Sequence, residues 1–120
     1  MREILNQIVA TRVGTLSVLL LAAFLEAYGD SCFQSGLHRT TGAARYIAFA
    51  GGALALALYG RVVNTPPWDF GKLLGVYVVL FFLVVQVLAK VRFQQMPTPP
   101  ILVGGSLIVA GGAVMTFWTG

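Results

Sequence analysis

Two carboxylates, Glu26 and Asp30, stand inside the apolar run LLLAAFLEAYGDSCF, from Leu19 to Phe33. An acid near the centre of a bilayer costs roughly 2.5–3.5 kcal/mol on insertion scales, so such a residue is kept for a reason. The spacing of four puts both groups on one helix face. Ala22, Ala23 and Gly29 lie on or beside that face, where small side chains let a ligand or a second helix approach. Glu26 has no basic residue away from the ends of the apolar spans to pair with, so it must be neutral, paired with a cation, or in a water-filled cavity. A carboxyl group in such surroundings can hold a proton or a cationic ligand, but not both well. That competition suffices for proton-coupled exchange. Asp30 lies closer to the interface and has two readings. It either pairs with His38, Arg39 or Arg45, or it contacts substrate alongside Glu26. Glu26 and Asp30 are therefore the candidate proton- and substrate-binding residues, with Ala22 and Gly29 lining the pocket.

Other chemistries have little to build on. The chain has one histidine, His38, and one cysteine, Cys32. One of each supports neither a Ser-His-Asp nor a Cys-His arrangement, nor a metal-ligand cluster, nor an intrachain disulfide. The glycine pairs lie inside apolar spans and not between a strand and a helix, so no nucleotide-binding loop is expected. An enzyme, a metal and a cofactor are all unexpected. The net charge of +4 arises from basic residues set singly or in pairs at the ends of apolar runs. They read as membrane-flanking anchors and not as a nucleic-acid surface.

The elements that must position the acids are membrane helices. The 120 residues are 58% hydrophobic and only 10% charged, too few charges to cover a soluble domain of this length. Four apolar segments run at about 13–33, 43–63, 70–89 and 99–118. Each is near the ~20 residues that a helix needs to cross ~30 Å of hydrocarbon. None shows the short alternating pattern of barrel strands. The expectation is an all-α, four-transmembrane-helix bundle forming a single integral membrane domain over residues 1–120. No clear small-residue cleavage site follows the first run, so a cleavable signal peptide is not expected. Residues 2–12 place Ile4, Leu5, Ile8 and Val9 at helical spacing, as either a short interfacial helix or a frayed polar lead. The short connections make neighbouring helices antiparallel.

The last two segments carry small residues in register. In the fourth, Gly104 and Gly111, Gly105 and Gly112, and Ser106 and Ala113 are each seven apart. This stripe suits close helix contact and is the expected dimer contact. In the third, Gly71 and Gly75 form a GxxxG, read as intrachain packing or as a flexible point near Gly75.

The ordered set of features resembles the small multidrug resistance family of the drug/metabolite transporter superfamily, including its YnfA-like relatives. The resemblance covers nearly all of the chain after residue 12. It rests on four short helices, the lone Glu within LEAYGD, GVYV in the third helix and LIVAGG in the fourth. It implies an antiparallel dual-topology dimer in the bacterial inner (plasma) membrane, with the first three helices around the site and the fourth at the dimer contact. It implies that Glu26 binds protons and a small cationic substrate in turn. By the same resemblance, Gly75 and Tyr77 are site-lining residues of a flexible third helix. The chain departs from the family at Asp30, where a small hydroxyl residue is more usual, and in helix 2, which has AFAGGALAL where a tyrosine is often found. Trp68 falls too early to match the third-helix tryptophan.

Two functions follow from these features. The first is a proton-coupled exporter of small cationic or hydrophobic-cation compounds, working by alternating access as an antiparallel homodimer or with a homologous partner. The second is a non-enzymatic structural or accessory subunit of a larger membrane complex, in which the acids meet a partner's bases. Orientation bears on both. Arg2, Arg12, Arg61 and Lys72 fall on one side of the membrane, and Arg39, Arg45, Lys90 and Arg92 on the other. The bias in Lys and Arg that usually fixes topology is absent. Either another feature sets one orientation, or the chain inserts both ways. Dual insertion predicts that single cysteines at Thr40 and at the C-terminus, in a Cys32→Ser background, are labelled from both sides. One fixed orientation, in membranes lacking a homologous partner, would refute it.

Overall fold

A computed structural model describes residues 12–118. Four helices make up the described chain: α1 (Arg12–His38), α2 (Gly42–Val63), α3 (Phe70–Phe93) and α4 (Pro99–Phe117). The fold is all-α, and each helix is long and apolar enough to cross a membrane. The lead segment expected over residues 2–12 lies, apart from Arg12, outside the described residues. The chain divides into two compact units, residues 1–66 and 67–120. Each holds one antiparallel helix hairpin, α1–α2 in the first and α3–α4 in the second.

The hairpin of α1 and α2 is built on missing side chains. A Cβ on Gly52 would stand 2.9 Å from the carbonyl oxygen of Gly29, and a Cβ on Gly29 would stand 3.0 Å from that of Gly52. The two backbones therefore touch directly. Lipid tails are as apolar as leucine, so helix pairing in a bilayer depends on such close van der Waals fit and not on apolar burial. Aromatic rings fill the next turns. Phe33 and Phe49 stack at 5.5 Å between centroids, and the Phe49 ring occupies the notch above Gly36. On α2 the contact residues Phe49, Gly52 and Leu56 fall at alternating spacings of three and four, as antiparallel knob packing requires.

The turn between these helices is only residues 39–41. Gly42 opens α2 at φ +62°, a conformation that glycine adopts without cost. α1 extends past the expected end at Phe33 through Gln34–His38. Apart from Leu37 these residues are polar or glycine, and two of their carbonyls have partners from the turn and the start of α2. Thr40 donates its hydroxyl to the Ser35 oxygen at 3.1 Å, and Arg45 donates Nε to the Gly36 oxygen at 2.8 Å. Helix α3 likewise passes the expected Ala89 to reach Phe93. It ends where Gln94 turns left-handed (φ 54°, ψ 37°), so that the amides of Gln94 and Gln95 bond back to Lys90 and Ala89.

In the second hairpin, α4 presents glycines to larger residues of α3. The Phe82 ring lies on Gly105, Val79 on Gly112, and Met115 of α4 reaches back over Gly75. Pro99 and Pro100 begin α4, where a missing N–H costs nothing.

The contact at Gly29 and Gly52 yields a sharp expectation. Gly52→Leu drives a side chain into backbone that cannot move aside, and overpacking of this kind costs about 1–3 kcal/mol. Gly51→Leu is its control, since nothing lies within 4 Å of that position. Thermal loss of helicity in detergent should come several degrees earlier for Gly52→Leu and be unchanged for Gly51→Leu.

Candidate functional site

The extension of α1 to His38 moves its midpoint to about residue 25, so Glu26 stands at mid-height. Asp30 is one turn further, about 6 Å along the axis at ~1.5 Å per residue. Glu26 is half-buried and Asp30 is exposed. Ala22 is fully buried one turn before Glu26, and Gly29 is in the backbone contact with Gly52. Glu26 therefore sits on the same helix as the backbone contact of the hairpin, within a turn of it, and the position of its backbone is set by that contact.

The structure adds a group that the sequence reading missed. Tyr59 of α2 lies within electrostatic reach of both Glu26 and Asp30. Its place follows from the hairpin register. Phe33 meets Gly52 and Gly29 meets Leu56, each step along one helix being matched by a step back along the other, which brings Tyr59 level with Glu26. A signal was present in the sequence. Arg45, Phe49, Gly52, Leu56, Tyr59 and Val63 form one line at spacings of four and three along the second apolar run. A tyrosine in that line faces the partner helix.

The bases of α2 are engaged at its two ends. Arg45 reaches the Gly36 carbonyl, and Arg61 donates Nη1 to the Thr65 hydroxyl at 2.9 Å. The chemistry assembled at mid-height is thus two carboxyl groups and a phenol, all on one hairpin. A phenol can donate to a carboxylate, and its ring face can attract an organic cation. Among the described residues no group of three or more His, Cys, Asp or Glu side chains could hold a metal.

The remaining candidates belong to the second hairpin. Gly75 faces α4, with the Met115 sulfur 2.8 Å from where its Cβ would be. Tyr77, two residues on and so turned about 200° around the helix, is buried and stacks on Phe81 at 5.9 Å. The small residues of α4 divide in the same way. Gly105 and Gly112 are occupied by Phe82 and Val79 of the same chain. Gly104 and Gly111 have nothing within 4 Å, so they are the pair left open on the hairpin.

No family model matches the chain, and no curated protein or solved structure matches it.

The division of the glycines separates two roles by experiment. Gly105→Leu and Gly112→Leu should lower the melting temperature by breaking the contact of α3 with α4. Gly104→Leu and Gly111→Leu should leave melting unchanged and reduce the dimer fraction counted by single-molecule photobleaching. An undiminished dimer in both of the latter variants would remove the open stripe as the pairing surface.

Proposed function

We propose that this chain is a proton-coupled exporter of small cationic or hydrophobic-cation compounds, similar in plan to the small multidrug resistance family. One observation carries most of the weight: Glu26, at the mid-height of a membrane-length helix, shares its surroundings with Asp30 and with Tyr59 of the adjoining helix. In the resting site Glu26 holds a proton. An arriving cation takes the carboxylate, the proton leaves to the side then open, and the Tyr59 ring and hydroxyl orient the bound cation. Reprotonation from the other side releases it. The reaction needs no covalent step, and the chain acts as a carrier and not as an enzyme. The working unit is an antiparallel pair, of two copies or of one copy with a homologue, in the inner membrane of a bacterial cell. The open glycine stripe of α4 and the balanced basic residues support that arrangement.

Proton release on addition of a lipophilic cation, followed by a pH indicator in weakly buffered detergent, tests the mechanism. Glu26→Gln keeps the shape of the side chain and removes its titration, so release should fall to baseline. Asp30→Asn should retain it. If Asp30 also binds substrate, Asp30→Asn weakens binding selectively for ligands with two positive charges. Proton-coupled binding that persists in Glu26→Gln would overturn the exporter reading and favour the accessory-subunit one.

A further inference from the structure

A groove of about 520 Å³ runs along the second hairpin, on the flank of the α3–α4 contact opposite the Gly104–Gly111 stripe. Its α3 wall is Phe82, Leu83 and Gln86, and its α4 wall includes Ile101, Gly105 and Val109. From Ile101 to Ala110 it extends about 13 Å along the helix axis, at ~1.5 Å per residue. Pro97, from the connection between the helices, lines one end. Three features of that end are chemically specific. Lys90 follows Gln86 by four residues and Leu83 by seven, so it shares their helix face at the groove mouth. Arg92 lies in the same last turn of α3, while the hairpin's single acidic residue, Asp69, precedes the opposite end of that helix. Gln86 is a carboxamide in an otherwise apolar wall, and no hydrogen bond to it is made among the described residues.

The geometry points to a binding site for one anionic phospholipid. The phosphate meets Lys90 at the mouth. About 6 Å deeper, Gln86 donates its amide to an acyl ester carbonyl, and the chain lies along Leu83, Ile101 and Val109 over the floor at Gly105. Positive charge at the mouth and an apolar channel beneath it match a lipid with a charged head and two ester groups. A parallel second copy would bring apolar surface to the channel but no anion to its mouth; an antiparallel one would bring Asp69 to that side of the membrane, and cross-linking at Ser106 tells it from a lipid. Basic pockets between membrane helices recognise anionic headgroups on the same principle. This inference stands apart from the exporter reading, because no residue of the carboxylate site contributes to it.

Native mass spectrometry of the full chain tests it, using phosphatidylglycerol and phosphatidylcholine of matched acyl chains and a diether phosphatidylglycerol. The parent protein should retain ester phosphatidylglycerol over both others. Lys90→Gln should reduce the headgroup preference about fivefold, the weight of one surface base, and Lys90→Arg should restore it. Gln86→Leu should abolish the preference for ester over ether lipid and leave the headgroup preference standing. Val109→Trp should lower retention of every lipid by filling the channel. Melting curves matched to the parent keep folding defects from imitating these losses. Equal retention of the two headgroups by the parent, or a preference unchanged in Lys90→Gln, overturns the proposal. So does quantitative disulfide formation between Ser106→Cys copies in bilayers (in a Cys32→Ser background), which would put a second copy in the groove.

Discussion

The backbone of α1 touches the backbone of α2 at Gly29 and Gly52, and much of the first hairpin depends on that contact. In a bilayer no apolar driving force pulls one helix onto another, so proximity has to come from fit. Two facing glycines provide it. Their contact fixes the register, and the register decides which residue of α2 stands level with the carboxylates. A shift by one turn would remove Tyr59 from Glu26. It would also separate Phe33 from Phe49, whose stacking resists the slip. A polar group costly to keep in hydrocarbon is thus held by a part of the hairpin that has no polar chemistry.

The second hairpin solves the same packing problem with unequal partners. There, small residues of α4 receive the bulk of Phe82 and Val79, so the contact consists of side chains on glycine and not of backbone on backbone. One flank remains smooth at Gly104 and Gly111, and the other opens into the groove beside Gln86. Adjacent small residues of α4 therefore serve different surroundings according to where each falls around the helix: Gly105 and Gly112 meet α3, Gly104 and Gly111 lie open, and Ser106 lines the groove.

Much of this was legible in the sequence. Apolar length fixes the number and kind of helices, and the cost of burying an acid marks Glu26 without any structure. The helix ends were less legible, because Gln34–His38 carry a single large apolar residue, Leu37. Their helix is completed by donors that follow it, Thr40 of the turn and Arg45 of α2, whose contacts composition does not encode. Tyr59 was missed for a different reason. An aromatic residue in an apolar run can face lipid or a neighbouring helix, and only the register of the pair decides between them. The seven-residue period in α4 announced close packing but could not say which pair meets α3, since adjacent glycines differ by about 100° around the axis.

The four helices are unequal in length: 27 residues in α1, 22 in α2, 24 in α3 and 19 in α4. At ~1.5 Å per residue they span about 40, 33, 36 and 28 Å. A hydrocarbon layer of ~30 Å suits α4 almost upright, whereas α1 must tilt or carry its polar last turn into the headgroups. Membrane thickness therefore acts on the chain unevenly. A thicker bilayer pulls at the ends of α4, and a thinner one forces α1 over. Because Glu26 stands near the pivot of α1, its depth changes least under either strain, while both ends of that helix travel.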